Sequence, residues 1–141
     1  METTKQLMVG GNALVALGSS RKTLDTDYLV CDTTSKLAFI HDTANNVDYI
    51  NANGNAFFAQ IWAMEKNNMG PLASPQALLE LKAYAFAQHC QNRFFQKADN
   101  DEYDIQYLIR QFNLTGVKLV KKHVSAGAMV EIQKVIDNVR K

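Results

Sequence analysis

The sequence has few cysteines and no recognisable metal-binding pattern of cysteine and histidine. Its only cysteines are Cys31 and Cys90, and they do not form a C-x-x-C motif. The three histidines are scattered along the chain and none lies at metal-ligand spacing. These absences exclude a disulfide framework and a zinc site as the basis of the fold. A reducing compartment is the expected setting, so the sequence predicts a cytoplasmic protein.

Long apolar runs and strong net charge are also missing. No run approaches the roughly 20 apolar residues of a membrane span, and the opening METTKQLMVGG lacks the pattern of an export signal. The sequence therefore predicts no contact with a membrane. With 15 basic and 14 acidic residues, the formal net charge is +1. A surface that is basic overall is thereby excluded, and any nucleic-acid contact would have to be local.

The composition suits one globular domain, with 47% hydrophobic residues in 141. Short strand-like runs fill residues 1–53, whereas helical periodicity dominates residues 54–141. The sequence predicts an α+β fold, in which a small mixed β-sheet in the first half carries a helical second half packed on it. Residues 1–141 are expected to form a single domain.

Local signals place the boundaries of several helices. Asn12 and Gly18 are plausible as the cap and the stop of a short helix, and Ser74 and Pro75 begin a longer one. A further helix is expected from Asp104. In the closing segment, five apolar residues share one helical stripe. They are Met129, Ile132, Val135, Ile136 and Val139.

The segment from Val9 to Val30 carries the strongest chemical signal. A strand-like run stops at Gly10 and Gly11, which form a turn leading to a helix start, and the backbone N–H groups of such a turn can hold phosphate oxygens. Asp25 and Asp27 are two residues apart on a later strand-like run, so both are expected on one face with their carboxylates side by side. Hard oxygen ligands in such a pair suit Mg²⁺ or Mn²⁺.

A third acid would complete such a metal site. Asp48 is the best candidate, because it lies in the strand-like run VDYIN and a neighbouring strand would bring it next to Asp25 and Asp27. Asp32 and Asp42 compete for this role, although both lie in turn-like contexts. The alternative interpretation of Asp48 is a solvent-facing acid on an edge strand.

Taken together, these residues resemble the nucleotidyltransferase superfamily of the DNA polymerase beta type. The superfamily pattern is an apolar residue, Gly, then Gly or Ser, followed after some 9 to 13 residues by two acids that alternate with apolar residues. Val9-Gly10-Gly11 and Asp25-Thr26-Asp27-Tyr28 fit it, although Thr26 takes a position that is usually apolar. The chain is most similar to the small bacterial branch that includes abortive-infection and toxin–antitoxin nucleotidyltransferases.

The resemblance extends over roughly residues 7–114 and implies further roles. LLELKAYA and RFFQKADNDEYDIQYLIRQF look like a second segment of that branch, in which Lys82 would contact phosphate and Asp104 would start the last typical helix. Arg21 and Thr23 are candidates for contacting phosphate or for bracing the loop, because both closely precede the metal strand. Two Mg²⁺ ions at Asp25, Asp27 and Asp48 are implied, with a nucleoside triphosphate as substrate.

The expected activity is transfer of a nucleoside monophosphate to a hydroxyl group. The acceptor is left open among a tRNA end, a protein side chain and a small molecule. A second hypothesis is a catalytically idle nucleotide-binding or protein-interaction module of a toxin–antitoxin or phage-defence pair. A third treats the aspartates as surface residues of an interaction protein. The basic run KLVKKH, residues 118–123, is either a local RNA contact or a solvated face.

Overall fold

The computed structural model describes residues 5–23 and 26–139. Within this part of the chain, four β-strands and five α-helices follow one another, and two short 3-10 helices lie between them. The order is β1 (Leu7–Val9), α1 (Gly10–Ala16), β2 (Thr26–Val30), β3 (Phe39–Asp42), β4 (Val47–Asn51), α2 (Ala56–Met64), α3 (Pro75–Gln91), α4 (Phe95–Phe112) and α5 (Ala126–Val139). The 3-10 helices are Ala52–Gly54 and Val120–Lys122. No helix in the described ranges combines the length and the apolar character needed to cross a membrane.

The chain forms two compact units, Met1–Ala77 and Leu78–Lys141. The first contains the sheet and the first two helices, and the second contains most of α3 together with α4 and α5. The expected combination of a small sheet with a helical second half is therefore confirmed. The expectation that residues 1–141 form one nucleotidyltransferase-like domain stays a prediction.

The sheet of the first unit is mixed, as predicted, and its strand order is β1-β2-β4-β3. β1 pairs with β2 and β3 pairs with β4 in antiparallel fashion, whereas the central pair β2 and β4 is parallel. β3 and β4 form a hairpin in which Asn46 takes a left-handed conformation with φ of 52°, as asparagine tolerates in turns. The hairpin lets β4 return alongside β2 in the same direction.

The short helix α1 begins earlier than the sequence predicted. It starts at Gly10, and the preceding Val9 is the extended N-cap residue and makes no side-chain capping bond. Asn12 is therefore inside the helix and not its cap, and its amide nitrogen donates to the Thr26 hydroxyl at 2.9 Å. The predicted stop is confirmed, because Gly18 follows the C-cap residue with a φ of +102°.

Apolar side chains from the strands and from the first two helices build the core of the first unit. Leu7 and Leu29 face each other across β1 and β2 and are fully buried. The helices α1 and α2 supply further buried apolar side chains, which are Ala13, Leu14, Phe57, Phe58 and Ile61. Asn55 caps α2 by accepting a bond from the Phe58 N–H at 3.0 Å. The glycine turn and β2 are thereby attached to a solid core.

Asn51 is the buried polar residue that fixes the connection between β2 and β3. Its side-chain oxygen accepts from the Asp32 N–H at 2.8 Å and the Asn53 N–H at 3.1 Å. Its amide nitrogen donates to the Leu37 carbonyl at 3.0 Å and to two further carbonyls at 3.3 Å. One side chain therefore satisfies backbone groups along the whole loop.

In the second unit, α4 is longer than expected. The predicted helix from Asp104 begins instead at Phe95, so the charged patch before Asp104 is itself helical. Its apolar side chains lie on one face, and the acids Asp101 and Asp104 are buried with them.

The predicted start of α3 is confirmed, because the Ser74 hydroxyl accepts from the Ala77 N–H at 3.2 Å. In α5, Ile132, Val135 and Ile136 are buried as expected, whereas Met129 and Val139 of the predicted stripe are only partly buried.

Replacing Asn51 tests the role of this side chain. We expect Asn51→Ala to lower the free energy of unfolding by about 1–3 kcal/mol, because several loop backbone groups lose their partner in a buried site. Urea denaturation followed by circular dichroism measures the change. Asn45→Ala, in the exposed turn between β3 and β4, is the matched control and should cost about 0.5 kcal/mol or less. Equal losses in both variants would contradict the assignment.

Candidate nucleotide and metal site

The glycine turn is packed against the carboxylate of Asp27. Gly10 has a φ of +72°, a conformation that L side chains rarely adopt, and a Cβ at this position would collide with Asp27 Oδ2. Glycine is therefore required both by the backbone angle and by the close approach of the carboxylate. The two features that the sequence singled out, the glycine pair and the acidic strand, are in direct contact.

Gly11 is packed against the second pair of sequence-predicted site residues. A Cβ added here would lie 2.6 Å from an Arg21 guanidinium nitrogen and 2.9 Å from Thr23 Cγ2. The backbone N–H of Arg21 donates a hydrogen bond to the Ser19 hydroxyl at 3.2 Å. An open groove of ≈ 480 Å³ lies beside them and is lined by Asn12, Val15, Arg21, Lys22 and Thr23. This groove has the basic and polar lining that a phosphate group requires.

Asp27 and Asp48 lie side by side across the central strand pair. They are register partners in the parallel pairing of β2 with β4. Partners in a ladder project from the same face of a sheet, and neighbouring strands are about 4.8 Å apart. The structure therefore brings together two of the three acids that the sequence selected. Two like charges at this spacing favour a cation between them.

His41 extends this row onto the edge strand. It is the register partner of Asp48 in the pairing of β3 with β4, and its Nδ1 lies 2.5 Å from Asp48 Oδ1. Both side chains are about half exposed, at 47% for His41 and 53% for Asp48. The sequence interpretation assigned no role to His41. A hairpin centred on the turn DTANN pairs residue 41 with residue 48, so that register was the signal that could have identified it.

The donor set fits a hard divalent cation in part. Asp27 and Asp48 supply carboxylate oxygens on one face of the sheet, which are the ligands that Mg²⁺ and Mn²⁺ prefer. Asp25, the third predicted ligand, lies outside the described residues. Over residues 5–23 and 26–139, no group of three or more His, Cys, Asp and Glu side chains converges as a metal site. The complete metal site therefore stays a prediction.

Asp32 and Asp42, the alternative candidates for the third metal ligand, each accept hydrogen bonds within their own turn. Asp32 accepts from the Thr34 N–H at 2.9 Å and from the Thr34 hydroxyl at 2.5 Å. Asp42 accepts from the Asn45 amide at 2.8 Å and from two backbone N–H groups. These bonds, led by the Thr34 and Asn45 side chains, hold the pKa of each carboxyl below its usual value. The turn context predicted for Asp32 and Asp42 is confirmed.

Lys82 lies in the second unit and is paired with two buried acids of α4. Its Nζ is 2.9 Å from Asp104 Oδ2 and 3.9 Å from Asp101 Oδ1. Only 12% of its side chain is exposed, so Lys82 does not lie on a solvated helix face. Its predicted contact with substrate phosphate stays a prediction.

His89 completes a buried ionic cluster with these residues. Its Nδ1 is 2.5 Å from Asp101 Oδ2, while the other carboxylate oxygen of Asp101 faces Lys82. The pKa of the Asp101 carboxyl is raised, because burial disfavours the charged form more than the His89 hydrogen bond and the Lys82 charge favour it. Asp101 is therefore a buried acid that lies between the Lys82 ammonium group and the His89 imidazole.

Comparison with known proteins adds no assignment. No protein-family model matches the chain, and no curated protein matches it either. The functional argument therefore rests on the residues and distances given above.

Gly10→Ala tests the packing of the glycine turn. We expect a loss of about 1–3 kcal/mol in the free energy of unfolding, because the new Cβ adds backbone strain and displaces the Asp27 carboxylate. The matched control is Gly127→Ala in α5, where nothing lies within 4 Å of an added Cβ. There the variant should be neutral or gain up to about 1 kcal/mol, since alanine favours helix. A similar response at both positions in urea denaturation would contradict the packing argument.

Asp101→Asn tests the ionic cluster through pH. A native carboxyl with a raised pKa keeps its proton to a higher pH than the unfolded chain does. Its contribution to the free energy of unfolding therefore falls as pH rises from about 4 through the native pKa. We expect the free energy of unfolding of wild type minus that of Asp101→Asn to decrease over that window and then to level off.

The measurement is urea denaturation between about pH 4 and about pH 8. The same comparison in a His89→Gln background removes the titration of the imidazole itself. A difference that rises with pH in both backgrounds would show that the ionic partners outweigh burial.

Proposed function

We propose that this chain is a metal-dependent nucleotidyltransferase domain that moves a nucleoside monophosphate from a nucleoside triphosphate to a hydroxyl group. The observation that carries the proposal is the register pairing of Asp27 with Asp48 next to the glycine turn. These acids are distant in sequence, and two carboxylates at neighbouring register positions would be stabilised by a bound cation. The groove lined by Arg21, Lys22 and Thr23 belongs to the same unit.

The glycine turn and its basic neighbours are proposed to hold the triphosphate. The side chains of Asp27, Arg21 and Thr23 fill the space beside Gly10 and Gly11. The proposed phosphate contacts are therefore the backbone N–H groups at the start of α1. The Arg21 guanidinium lies directly against Gly11 and offers charged donors with planar geometry. Thr23 packs against Gly11 through its methyl group and lines the same groove as Arg21. Lys82 is proposed as a further phosphate contact on the sequence resemblance alone.

The acids are proposed to hold Mg²⁺ or Mn²⁺. Asp27, Asp48 and the sequence-predicted Asp25 would supply the carboxylate oxygens. A bound cation of this kind would neutralise charge on the phosphates and on the departing pyrophosphate. The hydrogen bond from His41 restricts the rotation of the Asp48 side chain, which helps to keep its carboxylate directed along the row.

The proposed reaction is an in-line displacement at the α-phosphorus. The acceptor oxygen forms a bond to the α-phosphorus, and the bond from that phosphorus to the oxygen bridging the β-phosphate breaks. Pyrophosphate leaves with the bond electrons, and Asp48 accepts the proton of the acceptor hydroxyl. The acceptor is proposed to be a tRNA end, a protein side chain or a small molecule.

A catalytically idle nucleotide-binding module is the second candidate. The short bond between Asp48 and His41 favours it, because one Asp48 oxygen is already occupied by a neighbouring side chain. Such a module would bind a metal–nucleotide complex without turning it over. In this form the chain would act as the partner component of a toxin–antitoxin or phage-defence pair.

Two measurements on the same set of variants test the proposal. Calorimetric titration of Mg²⁺ or Mn²⁺ with each nucleoside triphosphate measures binding, and transfer of label from an α-labelled triphosphate in total cell extract measures turnover. We expect wild type to bind and to label an acceptor. Asp27→Asn, Asp48→Asn and the double variant Asp25→Ala/Asp27→Ala should each reduce labelling by at least about 100-fold.

Asp42→Asn is the matched control. It also removes one carboxylate charge, next to His41 in the sequence, but the Asp42 side chain is bonded within its own turn. It should keep full binding and labelling. Binding without labelling would select the idle module and would contradict turnover. No metal–nucleotide binding to wild type would contradict both candidates and leave the aspartates as surface residues.

A further inference from the structure

The second unit carries a surface that the proposed site does not use. It consists of the basic loop, residues 118–123, and the adjoining side of α5, and we refer to it as the α5 groove. The cleft has a volume of ≈ 510 Å³ and is lined by Lys121, Val124, Ala126, Met129, Val130 and Gln133. We propose that the α5 groove is the docking site for an acidic amphipathic helix of a partner protein.

The shape of the groove follows from the two faces of α5. Ile132, Val135 and Ile136 are turned into the unit and are buried. The residues lining the groove follow the helical spacing of positions 126, 129, 130 and 133 on a second face. Val130 is 55% exposed there, although it is a branched apolar residue. Ala126, Met129 and Val130 form a short apolar strip there, bordered by the polar Gln133. An apolar strip of this kind is a surface that a partner helix packs against.

The loop on the other side of the groove is held rigidly by Glu80. This carboxylate is fully buried. It accepts hydrogen bonds from the backbone N–H groups of Lys118, Leu119 and Val120, at 2.7, 3.1 and 3.0 Å. The loop is therefore preorganised, and a partner would not have to supply the free energy of ordering it.

The loop side of the groove is positively charged, whereas on the α5 side the lining residue Gln133 donates a hydrogen bond to Asp137 at 2.9 Å. Residues 113–130 contain no aspartate or glutamate, and Lys118, Lys121 and Lys122 are all exposed. The next acid, Glu131, is already paired with Lys134 at 3.2 Å. An apolar floor with a lysine rim is complementary to a helix that carries apolar residues on one face and acids beside them.

The same observations favour a protein over a nucleic acid. Among the residues that the structure describes, the lining contains no aromatic side chain and no arginine, which are the groups that stack on bases. Its centre is aliphatic and would remain without a partner if only a phosphate backbone lay across the lysines. The apolar floor therefore selects an amphipathic peptide.

The test uses a fluorescent synthetic peptide as the probe. The peptide has about 15 residues, with leucine at helical spacing on one face and glutamate elsewhere. Fluorescence anisotropy with the intact chain measures binding, and NMR shift changes locate it. We expect saturable binding with shift changes centred on residues 121–133. Val130→Glu and Lys121→Glu/Lys122→Glu should each weaken binding by at least about 10-fold.

Two matched controls separate the groove from the general surface. Met69→Glu introduces the same charge at an apolar residue that is 82% exposed in the first unit, and Lys66→Glu reverses an exposed lysine there. Both should bind like wild type. A peptide with lysine in place of glutamate should not bind.

Three outcomes would overturn the proposal. The first is an absence of saturable binding, or binding that Val130→Glu leaves unchanged. The second is stronger binding of a single-stranded RNA to the same residues. The third is a dimer in analytical ultracentrifugation that Val130→Glu dissociates, which would assign the groove to a second copy of this chain. Because the groove and the nucleotide site are probed by different variants, failure of one leaves the other intact.

Discussion

The parallel pairing of β2 with β4 is the constraint on which the candidate site depends. It places Asp27 opposite Asp48, and the hairpin from β3 then places His41 opposite Asp48 on the other side. A slip of one residue in either pairing would turn one partner to the opposite face of the sheet. The row of three polar side chains therefore exists only while both registers hold.

That register is supported by Asn51, which takes no part in the proposed chemistry, and by the glycine turn, which does. Asn51 lies at the end of β4, opposite Val30, and its buried side chain ties down the loop that leads from β2 to β3. At the other end, the glycine turn is seated against Asp27. The strand that carries the acid is thus fixed at both ends. The Asn51 amide and the glycine turn thus fix the position of the strand, while the carboxylates would contact the proposed ligand.

In the second unit, buried carboxylates organise helices and loop. Glu80 is satisfied by three backbone N–H groups, whereas Asp101 and Asp104 face Lys82, and Asp101 also faces His89. Removing one partner from such an arrangement leaves a buried charge uncompensated, which is why these groups occur together.

The sequence by itself determined the elements and the chemically important types of residue. Alternation, helical periodicity and turn residues predicted the strands, the Ser74 cap and the buried stripe of α5, because these depend on neighbours along the chain. The glycine pair and the acidic motif were visible for the same reason. Tertiary structure alone decided the pairing of Asp27 with Asp48 and the contact of His41. It also decided the early start of α4 and the burial of Lys82. Such features depend on strand register and on packing between distant segments, which local patterns do not encode.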